Sequence, residues 1–219
     1  MKNGGGITPR EQVWLNLYRD LIIWRNGSVS WDKDDFQRLA EQVKSSLKGK
    51  PSPSGVPFFI YVYHPKEENR CLREFKNFAK RLQNEGFTIQ TIYLGKVLSY
   101  ILKDLPYLQP EGREIEENQR EDLRKELVAI LPEKISDCLL NGIPGQFDSI
   151  KEGKFTRGVF LLRAGALFPF VHVSQILAQL ENQTHSTIVI PFPGSRKEEN
   201  LRFLDETEGR YYRAMIFGR

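Results

Sequence analysis

The 219 residues, 40% of them hydrophobic and 27% charged, suffice for one buried core with a small appendage and are too apolar for a disordered chain. The apolar stretch "GVFLLRAGALFPFV" is broken by Arg163 and falls short of the roughly 18 residues that a membrane span needs. A formal charge of +4, from 32 basic against 28 acidic residues, is too small an excess to indicate nucleic-acid binding by itself.

The chain opens with two predicted helices. In "TPREQVWLNLYRDLIIW", Val13, Leu17, Leu21 and Trp24 recur at helical spacing behind a Thr8-Pro9 start. The second begins near "SWDKDDF", where Ser30 or Asp32 can cap, and carries Phe36, Leu39, Ala40, Val43 and Leu47 on one face. The breaker-rich "KGKPSPSG" follows, so residues 1–50 are expected to form an N-terminal helical arm.

From Val56 the pattern changes to α/β. "VPFFIYVYHP" is a continuous apolar run of strand length, which predicts a central strand covered on both faces. "KEENRCLREFKNFAKRLQNEG" is a helix with Leu72, Phe75, Phe78, Ala79 and Leu82 inward and Gly86 beyond its end, and "FTIQTIYL" is the next strand. Together they make a βαβ unit with a right-handed crossover. "GKVLSYILKDL" predicts a short helix, "REIEENQREDLRKELVAIL" a longer one stopped by Pro132, and "PEKISDCLLNG" a third. Residues of about 96–154 are therefore expected to be a helical insertion within an α/β domain spanning 56–219. Beyond it, "TRGVFLLRAGALFPF" gives a strand and turn, "VHVSQILAQLEN" a helix, "STIVIPF" a strand, "RKEENLRFLD" a short helix and "YYRAMIFG" a last strand. The expected fold class is α/β, an open, mostly parallel sheet of about five strands with helices on both faces, Rossmann-like or a degenerate AAA-like core.

The turn in "VIPFPGSRKEENLRFL" holds the most suggestive candidates. A strand running into a glycine turn and a helix can aim backbone N–H groups at phosphate, but a Walker-type loop needs two glycines and a Lys-Ser/Thr pair, and only Gly194 is present. Ser195 and Glu198 read as a capping box, while Arg196 and Lys197 are cations at the wrong end of a helix dipole unless an anion or an acidic partner offsets them. Arg210, Tyr211, Tyr212 and Arg213 mix aromatic and basic side chains that could stack bases or anchor an interface.

Catalytic sets do not emerge. His64, His172 and His185 stand alone in their segments, His64 best placed at the end of the central strand. Cys71 and Cys138 fall on predicted helices beside apolar residues and suit a reducing compartment without disulfides. Ser99, Ser136, Ser149 and Ser174 lack a nucleophile elbow, and Arg163 stands where an ATPase would keep an acid. The expectation is a protein without catalytic residues, metal or cofactor. With no secretory signal in "MKNGGGITPREQ", the cytoplasm is its expected place.

Several blocks, in order, resemble the BrxB family of the bacteriophage exclusion (BREX) defence systems. They are "VPFFIYVYHPKEENRCLREFKNFAKRL", "RGVFLLRAGALFPFVHVSQILAQLEN" followed by "STIVIPFPGS", and "LRFLDETEGRYYRAMIFGR". The resemblance implies a small cytoplasmic component of a multi-protein antiphage system, accompanied by a large ATPase, a DNA methyltransferase and a PglZ-like protein, and it supplies no catalytic residues. The succession of elements also resembles an AAA-type ATPase core stripped of its phosphate loop and acidic box, an analogy of fold alone. The expected function is a non-enzymatic adaptor contacting a PglZ-like protein or the system ATPase. The alternatives are a nucleic-acid-binding accessory using Arg196, Lys197, Arg202, Arg210 and Arg213, or a degenerate nucleotide-binding domain that hydrolyses nothing.

Overall fold

A computed structural model describes residues 32–103, 105, 117–151, 157–197, 200–203, 207–208 and 212–218. The chain divides into residues 1–30 and 31–219, and all described residues belong to the second unit. The helix expected over Thr8 to Trp24 lies outside them.

The apolar run Phe58–Tyr63 forms β1, buried at every position, as a central parallel strand must be. Around it the sheet runs in the order β2 (Thr88–Tyr93), β5 (Arg157–Leu162), β6 (Thr187–Lys197), β1 and β9 (Met215–Gly218). The four junctions along this path are parallel, with Ile60 opposite Ile190 on one side and Ile216 on the other. Five parallel strands in an α/β arrangement are what the sequence predicts.

Helices cover both faces because the strand side chains alternate between two cores. Phe58, Ile60 and Val62 pack with α3 (Leu94–Lys103), α4 (Glu117–Asn141) and α5 (Val173–Leu180). Phe59, Tyr61 and Tyr63 pack with α1 (Lys33–Leu47) and α2 (Glu68–Asn84). The chain leaves β1 through α2 on one face and returns from β2 and β5 through α3, α4 and α5 on the other. Opposite faces are what right-handed crossovers require of connections running in opposite directions across a sheet.

Three local expectations change. First, α1, grouped by sequence with an N-terminal arm, is part of the sheet's own packing: Phe36, Leu39, Val43 and Leu47 are all buried. Polar contacts fix its orientation. The Tyr61 hydroxyl donates to the Asp32 carbonyl at 3.0 Å, and the Ser46 and Thr187 hydroxyls share a buried hydrogen bond at 2.9 Å. Second, Pro132 does not stop a helix, since α4 continues through it. Leu127, Leu131, Ile135 and Leu139 keep one buried stripe at four-residue spacing across the proline, and that packing outweighs the lost backbone hydrogen bond.

Third, "RKEENLRFLD" is not a helix. β6 runs on to Lys197 and turns into the antiparallel β7 (Asn200–Phe203), with Ser195 opposite Arg202 and Gly194 opposite Phe203; β7 in turn pairs with β8 (Thr207–Glu208). Leu201 and Phe203, two residues apart, both enter the core, which suits a strand and defeats a helix. A small hairpin, β3 (Gly142–Ile143) and β4 (Phe147–Asp148), follows α4 directly.

Candidate functional site

The C-terminal ends of parallel strands are where open α/β sheets bind ligands. After β1, Pro65–Glu67 forms a short 3-10 turn. Pro65 has no N–H to offer an anion, and the Lys66 N–H is taken by His64 Nδ1 at 3.2 Å. His64, the best-placed histidine, thus caps a turn. The Tyr63 hydroxyl donates to the Glu68 carboxylate. Burial holds that phenol well above its ordinary range, with the negative charge of Glu68 acting the same way. Burial also pushes the Cys71 thiol far up, so it is a protonated packing group and not a nucleophile.

At the end of β5, Arg163 takes a left-handed backbone conformation (φ 61°) and is exposed. His172 opens α5, its N–H donating to Gln175 Oε1 at 3.0 Å, and His185 is exposed before β6. Among the described residues no three His, Cys, Asp or Glu side chains are grouped to hold a metal ion. No helix among them is long and apolar enough to cross a membrane.

The described basic residues of the C-terminal region make separate local contacts. Without a helix after Gly194 there is no dipole to gather an anion, so the electrostatic reason for that site disappears. Gly194 serves the hairpin instead: a Cβ there would lie 2.0 Å from the Arg202 carbonyl oxygen. Gly194→Ala is expected to cost roughly 1–3 kcal/mol in urea unfolding and to speed amide exchange at Leu201 to Phe203. Ser195 sits half-buried in the ladder, Lys197 is exposed, and Arg196 donates to the Ile216 carbonyl at 3.3 Å.

Arg210 and Tyr211 lie outside the described residues. Tyr212, one of the two tyrosines read as a possible contact surface, is 5% exposed and meets Phe192 edge-on with centroids 5.9 Å apart. Burial pushes its phenol up to about 12. Arg213 is ion-paired with Glu181.

Sequence reasoning missed the outer edge of β2. Among the described residues β2 pairs with β5 alone. A cavity of about 640 Å³ borders Thr88, Ile89 and Gln90, and one of about 540 Å³ borders Thr91, Ile92 and Tyr93. Consecutive residues of both pleat directions line them, so the two cavities run along the strand's edge. Their opposite wall is the β3–β4 turn, Gly145 to Phe147, shared by both. Gln90 Nε2 anchors this hairpin by donating to the Asp148 carbonyl at 3.0 Å, and Arg157 braces it by donating to Gln90 Oε1 and to the Ser149 carbonyl.

At the far end Lys76 and Lys96 place their ammonium groups 5.9 and 5.7 Å from the Tyr93 ring centre. Lys96, Tyr100 and Lys103 recur along one exposed face of α3, beside the buried Val97 and Ile101, and Lys96 and Lys103 line the cavity with Tyr100. That stripe was visible in the sequence; its alignment with a hairpin some 45 residues on was not.

A comparison with curated proteins and with solved structures returned no match. The family model described as BREX protein BrxB matches residues 91–217. That stretch runs from β2, through the hairpin, β5, β6 and β7, into β9. It takes in more than half of the chain, which belongs to the BrxB family of BREX proteins.

Proposed function

We propose that this BREX component is a non-enzymatic adaptor, working in the cytoplasm to hold other proteins of the system together, a PglZ-like protein or the system ATPase among them. One observation carries the reading. The end of β1, where an α/β catalyst would keep a reactive group, is given to a turn cap at His64 and a buried phenol at Tyr63, with a buried thiol at Cys71 on the helix that follows. The contacts left to such a molecule are its edges and helix surfaces.

The test is co-expression of the tagged full chain with the PglZ-like protein and the ATPase encoded beside it. Recovery of either in stoichiometric amount after a high-salt wash is expected. Recovery of neither, or hydrolysis of ATP by the purified chain, overturns the proposal. A nucleic-acid accessory draws less support, because Arg196 and Arg213 are already engaged by Ile216 and Glu181. Its signature would be binding that falls steeply between about 50 and 200 mM salt.

A further inference from the structure

We infer that the trough along the outer edge of β2 is a docking groove for an extended, acidic segment of a partner protein, which joins the sheet as a strand beside β2. The inference rests on the adaptor reading and supplies the surface that it lacks.

Edge strands present unpaired N–H and C=O groups, and proteins ordinarily blunt them. The opposite edge of this sheet is treated that way: Arg196 donates to the Ile216 carbonyl of β9, and the Gly218 N–H donates to the Asp35 carboxylate. On β2 the Ile89 carbonyl accepts from Gln83 Nε2 at 3.0 Å, and the strand is otherwise framed. A hairpin stands across from it, tied to the strand through Gln90 and Arg157, and among the described residues the two cavities together border all six residues of the strand. Six residues span about 20 Å, the length of an ordinary added strand.

The charge of the trough selects the segment. Among the described residues Lys96 and Lys103 line one end, and Arg157, held by Gln90 and Ser149, lines the other beside Asp148. Carboxylates near the ends of an incoming strand would meet these cations, while main-chain pairing in the middle supplies affinity independent of sequence. Tyr93, flanked by Lys76 and Lys96, and Tyr100, 38% exposed, offer flat surface to an alternate side chain. A nucleic-acid strand could use the lysines and tyrosines but not the alternating donors and acceptors of a strand edge.

The experiment is hydrogen exchange on the full chain, alone and in the complex recovered by co-expression with the proteins encoded beside it. Amides of Thr88 to Tyr93 are expected to slow at least about tenfold in the complex, and Lys96→Glu with Lys103→Glu to weaken assembly by about tenfold or more. Both lysines lie on the solvent side of α3, and an unchanged melting temperature of the free variant certifies its fold. A complex that forms with β2 unprotected and tolerates the double variant overturns the groove and leaves the adaptor standing; no complex at all overturns both. Protection of β2 by a single-stranded 12-mer oligonucleotide but not by any protein assigns the trough to nucleic acid and rejects the peptide.

Discussion

Phe75→Ala is expected to destabilise the 31–219 unit by about 3–5 kcal/mol in urea unfolding. Phe75 has no exposed surface and stands on α2 where three elements converge. It meets Phe36 of α1 edge-on at 5.2 Å, Tyr61 of β1 at 5.9 Å and Phe160 of β5 at 6.0 Å between centroids. Truncation removes the transfer energy of one ring and also three aromatic contacts, each worth about 0.5–1.5 kcal/mol beyond area. The strands beneath are paired on both sides and cannot collapse into the space, which places the cost high in the range for a buried phenylalanine. A loss below about 1.5 kcal/mol would mean that this face packs loosely and that α1 is not a structural layer. Phe36→Ala makes the complementary test: amides of Asp35 to Leu47 should exchange faster while those of β6 hold.

The parts legible in the sequence were those where one local rule acted alone. The run Phe58 to Tyr63 has no polar position to offer solvent, so only a central strand accommodates it. The stripe from Leu72 to Leu82 fits a helix and nothing else. Where two rules competed, the non-local one won. Ser195 with Glu198 has the spacing of a capping box, yet Leu201 and Phe203 find core space at strand spacing, and Gly194 lets the Arg202 carbonyl approach. Pro132 signals a helix end, but the buried stripe from Leu127 to Leu139 overrides it.

The candidate site divides the same way. That Cys71 packs on the apolar face of its helix could be read from residue types. That Tyr212 is buried could not, because its partner Phe192 lies 20 residues earlier, in β6. The trough depends on β2, α3 and a two-residue-per-strand hairpin meeting in space, and no window of sequence contains all three.

Alkaline solution is expected to unfold the protein over a narrow range near pH 10–11, well before its exposed lysines are all neutral. Cys71, Tyr61, Tyr63 and Tyr212 are each 5% exposed or less, and burial raises all four above their ordinary values of 9 for the thiol and 10 for the phenols. The folded state therefore keeps protons that the unfolded chain releases. Their stabilisation is fully present below about pH 9 and is lost as pH climbs, at about 1.4 kcal/mol per pH unit for each group past its unfolded value. For Tyr212 the loss levels off near its folded value of about 12.

By pH 11 the thiol has removed roughly 2.7 kcal/mol and each phenol somewhat over 1, about 6–7 in all, against a typical net stability of 5–15 kcal/mol. Circular dichroism at 222 nm and phenolate absorbance at 295 nm, followed across pH, should show the buried tyrosines ionising together with loss of structure. Cys71→Ala, which removes the earliest of the four losses, should move the midpoint upward. Tyrosines that all ionise near pH 10 with the helical signal intact would show that β1 does not lie sealed between two helical layers.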